Sequence, residues 1–168
     1  MNQPVSHLLY LHGFRSSPQS AKALRIASWM LENAPTVAWF CPSLPASPLS
    51  AMRLIEQLTQ DWPAAGAAVM GSSLGGFYET ALAEKQGFRA VLLNPAIDPA
   101  RDLHAYIGEH PAWHDPNEKV VVKAEYLDEL RDLKAAEITR PERFFAVIAN
   151  GDEVLDWHEM HERYSHCP

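Results

Sequence analysis

Five apolar runs of strand length recur along the chain, His7 to Leu11, Val37 to Cys41, Ala67 to Met70, Ala90 to Leu93 and Phe144 to Ala149. Each is nearly continuous in apolar residues instead of alternating, as expected when helices cover both faces of a parallel sheet. Segments of helical period separate them. Ser17-Pro18 and Ser47-Pro48 each read as an N-cap with proline at the first helical position, where its missing N–H is not needed. Met52, Ile55, Leu58 and Trp62 recur at three and four residues and form one sheet-facing stripe. A third helix is expected from Leu74 to Gln86, stopped by Gly87, and a fourth from about Glu153, with Trp157, Met160, His161 and Tyr164 on one face. Trp29 and Trp39 read as core. The alternation of strand and helix predicts an α/β fold with a mostly parallel sheet.

Between Asp98 and Glu142 the alternation breaks. Five prolines lie from Pro95 to Pro141, mixed with charges and aromatics, so residues 98–142 read as a lid insertion in a single domain spanning residues 1–168. Tyr126, Leu127, Leu130 and Leu133 fit one amphipathic helix inside it, whereas Val120 to Val122 is too short to assign.

Composition narrows the function. With 14 Lys plus Arg against 21 Asp plus Glu, the net charge is −7, which argues against nucleic acid and anionic membrane as partners. No secretory leader or apolar run of membrane-spanning length is present in the sequence, and Cys41 and Cys167 stand in no metal-ligand spacing. A reducing, cytoplasmic setting is expected, with no cofactor and no metal.

The chemistry concentrates at three turns. Gly71-Ser72-Ser73-Leu74-Gly75-Gly76 is a G-x-S-x-G pattern set between an apolar strand and a helix, the context of a nucleophile elbow. There Gly71 and Gly75 would relieve crowding, Ser73 would be the nucleophile, and the Leu74 N–H would face the oxygen of an attacked carbonyl. Leu11-His12-Gly13-Phe14 ends the first strand where this architecture places its other oxyanion donor, the Phe14 N–H, with His12 and Gly13 as supporting residues. Asn150-Gly151-Asp152-Glu153 follows the last strand, so Asp152 would emerge at the same sheet edge as Ser73. Each turn also has a plain structural use: a close-packing glycine turn, a loop histidine, an Asp helix cap. Their occurrence in the order oxyanion loop, serine, acid favours a serine hydrolase.

At these residues the chain resembles the YqiA family of small α/β-hydrolase esterases. The resemblance runs from Leu9 to the C-terminus through LYLHGFRSSPQSAK, GSSLGGFYET, LNPAIDP and GDEVLDW. It implies an α/β-hydrolase fold and a serine esterase acting on small carboxylic esters or acyl-CoA thioesters through an acyl-enzyme, with Ser73 as nucleophile and Asp152 as acid. The substrate would enter under the insertion. In that family the catalytic histidine lies in a G-G-x-H-A type loop after one further strand, so the C-terminal strand, histidine loop and helix are expected to be missing from this chain. His158 and His161 follow Asp152 but fall in the predicted helix. The alternative is an inactive hydrolase-fold binding protein that lacks the base. Loss of the last strand would also leave Phe144 to Ala149 as an open edge able to pair with a second copy.

Overall fold

The computed structural model of the protein describes residues 3–168. Among the described residues seven strands and six α-helices largely alternate: β1 His7–Leu11, α1 Ala21–Asn33, β2 Ala38–Phe40, α2 Pro48–Thr59, β3 Ala67–Ser73, α3 Leu74–Gln86, β4 Arg89–Pro95, α4 Pro99–Asp102, β5 Gly108–Pro111, β6 Lys119–Val122, α5 Glu125–Leu133, β7 Phe144–Val147 and α6 Trp157–Arg163. Five strands form one sheet in the order β2-β1-β3-β4-β7, parallel throughout, and β5 pairs with β6 as a separate antiparallel hairpin. Parallel neighbours need crossovers, and the helices supply them.

The register sets the core. Leu9 pairs with Val69, and Leu11 with Gly71; Leu9, Leu11, Val69 and Leu92 are fully buried. Ile55 of α2 and Leu82 of α3 pack with the first three of these, and Leu130 of α5 joins the same cluster. Burial of each such side chain contributes about 1.5–3 kcal/mol relative to exposure. On the opposite face Leu8 and Ala68 pack against Met30 of α1. Toward β7 that face opens, with Phe145 53% and Val147 45% exposed. Coverage of both faces, expected from the continuous apolar runs, therefore holds over β1 and β3 and fails at β7. At its edge the Ala146 N–H donates to Pro168 O at 2.9 Å.

Three local expectations are corrected. The cap of α1 is Ser20, whose Oγ accepts from the Ala23 N–H at 3.3 Å. Ser17 makes a preceding turn, accepting from the Gln19 N–H at 3.1 Å. Helix α6 starts after Asp156, which accepts from the His158 N–H at 2.9 Å, and not near Glu153. On it Met160 and Tyr164 are buried but His161 faces solvent. Trp29 is 58% exposed because Ala23, Ile26 and Met30 form the inward stripe of α1, and Trp29 lies off it. The Ser47 cap and the span of α3, closed by Gly87 at φ 74°, are as expected.

The segment 98–142 has two parts. Residues 99–122 contribute α4, a short 3-10 turn and the β5–β6 hairpin. The second part, α5, turns Leu127 and Leu130 inward and belongs to the core as much as to any lid.

Candidate active site

The carboxyl ends of β1, β3, β4 and β7 converge, which is where open parallel sheets place ligand sites. Ser73 ends β3 with φ 54° and ψ −120°, a conformation costly for any residue other than glycine. It persists because the surroundings leave the chain no room to relax. A Cβ on Gly75 would lie 2.0 Å from Leu11 O, and one on Gly71 would lie 2.5 Å from the carbonyl carbon of Gly75. Strand β1, strand β3 and the first turn of α3 thus meet backbone to backbone. The Ala96 N–H donates to Ser73 O at 3.0 Å, fixing the turn from the β4 side.

The loop after β1 runs directly beside the serine. A Cβ on Gly13 would sit 3.7 Å from Ser73 Oγ. Gly13 O accepts from the Ser16 N–H at 3.2 Å and from His12 Nδ1 at 3.1 Å. Because a trans peptide points its N–H opposite its carbonyl, the Phe14 N–H is directed away from those donors. Leu74 is the first residue of α3, so its N–H has no partner within the helix. Among the described residues, neither the Phe14 nor the Leu74 N–H has a hydrogen-bond acceptor.

His12 serves this loop structurally. It is buried, and its Nε2 accepts from the Leu44 N–H at 3.2 Å, so Nδ1 carries the proton given to Gly13 O. Burial lowers its pKa; the Gly13 acceptor opposes the shift and His114 adds to it.

Asp152 follows β7. Its Oδ1 accepts from the Val154 and Leu155 N–H groups, each at 2.9 Å, and its Oδ2 from Asn94 Nδ2 at 2.6 Å. Burial alone would raise its pKa. The N–H groups of Leu155 and Val154, the Asn94 amide and the Lys22 charge outweigh it and hold the carboxyl below its usual range.

Ser73, Leu74, Phe14 and Asp152 line one cavity of about 550 Å³, with Asn94, Lys22 and Arg15 also in its wall. Leu103, Tyr106 and Trp113, from residues 98–142, form its apolar side. Tyr106 meets the Phe14 ring edge-on at 5.6 Å between centroids. The hairpin is tied to the loop after β1: Arg15 Nε donates to Pro111 O at 2.6 Å, the Trp113 N–H to Arg15 O at 2.8 Å, and the Arg15 guanidinium lies 4.2 Å from the Trp113 ring centre. No histidine lines the cavity among the described residues. His158 is exposed and bonds Asp156 at 2.8 Å.

Three residues of this centre escape a reading of the sequence alone. Asn94 closes the apolar run of β4 with a polar side chain, and also accepts from the Ala149 N–H at 2.8 Å. Lys22 Nζ donates to Ser72 Oγ at 2.6 Å. Glu79, the one charged residue among the apolar and small residues of α3 from Leu74 to Ala83, is fully buried behind Gly71. A Cβ on Gly71 would lie 2.6 Å from its Oε2. Burial pushes the Glu79 carboxyl well above its usual range, against the weaker influence of the Val91 and Gly71 N–H groups. Neither oxygen has a hydrogen-bond partner of good geometry among the described residues. A charged residue in an otherwise apolar helical stretch was the available signal.

A parallel sheet whose β3 ends in a strained serine turn, with the loop after β1 against it and a carboxylate after β7, defines the α/β-hydrolase class of fold. The profile of the uncharacterised protein family UPF0227 matches residues 7–168, and the chain belongs to that family. This is the YqiA-type family that the motifs resemble. Solved structures share the fold. Mouse alpha/beta hydrolase domain-containing protein 10 is 12% identical with a TM-score of 0.67, over 94% of this chain and 75% of its own. Est1E from Butyrivibrio proteoclasticus is 14% identical with a TM-score of 0.66, over 98% and 76%. The esterase domain of a Rhodothermus marinus protein is 20% identical with a TM-score of 0.63, over 99% and 74%. Among the described residues no helix is long and apolar enough to cross a membrane, and no cluster of three or more metal-ligating side chains is present.

Proposed function

We propose that the protein is a serine hydrolase of small carboxylic esters or thioesters, working through an acyl-enzyme at Ser73. The observation that carries this reading is the strained Ser73 backbone above a cavity that Asp152 shares. Strain of this kind costs about 1–3 kcal/mol and persists where it serves a site.

In the first step Ser73 Oγ bonds to the substrate carbonyl carbon. The former carbonyl oxygen, now negative, accepts from the Phe14 and Leu74 N–H groups, and each such donor is worth about 10²–10³ in rate by precedent. The carbonyl re-forms, the bond to the leaving alcohol or thiol breaks, and that group takes the proton the serine gave up. Water then attacks the acyl-serine, the acid departs and Ser73 regains its proton. A histidine bonded to both Asp152 and Ser73 is needed to carry the proton between these groups. Asp152, kept ionised by its three donors, is suited to orient it and to stabilise its charged form.

Labelling of the full-length gene product with a fluorophosphonate tests the reading. The expected result is one adduct, on Ser73, lost in Ser73→Ala. Absence of an adduct overturns it and leaves a binding protein built on the hydrolase fold; an adduct that survives Ser73→Ala overturns it by placing the reactive nucleophile elsewhere.

A further inference from the structure

The cavity beside Ser73 carries two cations that no carboxylate meets at ion-pair distance among the described residues, although the Lys22 charge acts on Asp152 across the cavity. Lys22 and Arg15 both line it, and neither forms an ion pair among the described residues. Lys22 gives Nζ to the neutral Ser72 hydroxyl. Arg15 gives Nε to a backbone carbonyl and lies over Trp113. The two carboxylates in the same wall are already engaged. Asp152 takes three donors from Asn94, Val154 and Leu155, and Asp102 pairs with Arg101 at 2.9 Å. What sets these two cations apart is their place: in a protein of net charge −7, both stand in the wall of the cavity that Ser73 lines.

The location of Lys22 on its helix sharpens the point. It is the second residue of α1, whose first turn contains no acidic residue. A helix N-terminus already carries partial positive charge, so a lysine in this turn adds to a positive field on that side of the cavity. Lys22, Ser72 and Ser73 line the same cavity, so the ammonium faces the space in which a substrate of Ser73 would lie.

We infer that Lys22 is a specificity-determining residue that selects esters or thioesters bearing a carboxylate a few bonds from the reacting carbonyl, the half-esters of short dicarboxylic acids being the type. The inference rests on the hydrolase reading for the reaction but not for the binding. The Lys22 ammonium donates to the substrate carboxylate, and the α1 N-terminus adds to the field. Arg15, held against Trp113 in the connection that leads into α1, contributes charge to the same cavity. The apolar wall of Leu103, Tyr106 and Trp113 remains for the rest of the molecule. Asp152 and Asp102 share this wall and would repel the higher charge of a phosphate more than the single charge of a carboxylate.

Two arms test it with the full-length gene product. In the first, kcat/KM for monoethyl succinate is compared with that for ethyl isocaproate, in which an isopropyl group replaces the carboxylate. The expected ratio is about tenfold in favour of the charged ester, the scale of one charge-assisted hydrogen bond. It falls with added salt, falls to one or below in Lys22→Met, and is largely kept in Lys22→Arg. A wild-type ratio of one or less, or a ratio above one that Lys22→Met leaves intact, overturns the inference while hydrolysis of either ester upholds the hydrolase reading. The second arm needs no turnover: calorimetric binding of monoethyl succinate to Ser73→Ala. Binding about tenfold weaker in Ser73→Ala with Lys22→Met supports the inference even if no ester is hydrolysed. No binding, or binding indifferent to Lys22, overturns it.

Discussion

Asn94 Nδ2 donates to Asp152 Oδ2 at 2.6 Å, while the Asn94 Oδ1 accepts from the Ala149 N–H at 2.8 Å. One amide at the end of β4 therefore holds both the carboxylate and the start of the loop that presents it. Asn94 itself stands at φ 44°, where asparagine is tolerated better than most side chains.

Asn94→Ala removes both bonds and puts alanine in a strained conformation, with an expected cost of about 2–3 kcal/mol. Urea unfolding should show a lower midpoint at unchanged slope. Without the Asn94 donor the Asp152 pKa moves up toward the ordinary carboxylate range, which a carbon-detected NMR titration of Asp152 reads directly. An unmoved titration would mean that the Val154 and Leu155 N–H groups suffice.

Ser73→Gly and Ser73→Ala should separate strain from chemistry. Glycine relaxes φ 54°, so Ser73→Gly is expected to raise stability by about 1 kcal/mol after its own entropy cost, whereas Ser73→Ala keeps the strain and changes stability little. Both abolish fluorophosphonate labelling. Denaturant midpoints of the two variants, measured together, decide whether the serine stands in a conformation that opposes folding.

The parts of this architecture that were legible in the sequence are those written locally. Leu74 to Gln86 was readable because a glycine pattern opens the helix and Gly87 closes it, and the β1 run from His7 to Leu11 is apolar between polar flanks. The start of α1 was not, because Ser17 and Ser20 can both cap and only the tertiary path chooses the second. Hydrophobicity alone places Trp29 inside, whereas the Ala23, Ile26, Met30 stripe puts it outside. Ser73, Asp152 and the loop at Phe14 were visible as turns at strand ends. Lys22 and Asn94 act across 50 and 58 positions of sequence, on Ser72 and Asp152, through contacts that no local pattern encodes.

Gly75 and Gly151 should respond oppositely to the same change. Alanine at Gly75 would place its Cβ 2.0 Å from Leu11 O, a backbone atom of a central strand that cannot yield cheaply. The expected cost exceeds about 3 kcal/mol, enough to leave a marginal domain largely unfolded. At Gly151 a Cβ meets nothing within 4 Å, so Gly151→Ala should stay within about 0.5 kcal/mol of the parent. Thermal melts of both variants, beside each other, check the contrast. A well-folded Gly75→Ala would show that β1 and α3 do not approach as closely as described.

Glu79 gives the fold a pH dependence of definite sign. Its carboxyl pKa is raised in the folded state above the unfolded value, chiefly by burial. The folded protein therefore holds the proton over a pH range in which the unfolded chain releases it. The protonated carboxyl's share of stability is fully present below the unfolded pKa and is lost as pH rises through the folded pKa. Glu79→Gln keeps the shape and removes the titration. Relative to the parent, its stability should improve steadily as pH rises above the ordinary carboxylate range, with the two converging on the acid side. Asp152 works in the other direction, since its pKa is lowered when folded and its contribution is lost as pH falls through that value. Asp152→Asn should accordingly flatten the acid limb and leave the alkaline limb alone. Denaturation across a pH series, for the parent and both variants, separates the limbs, and an alkaline limb unchanged by Glu79→Gln would show that the buried carboxyl finds compensation on ionising. Because Glu79 lies directly behind Gly71, the same ionisation should loosen the Ser73 turn. Fluorophosphonate labelling of the full-length gene product should then fall at alkaline pH in the parent and persist further in Glu79→Gln.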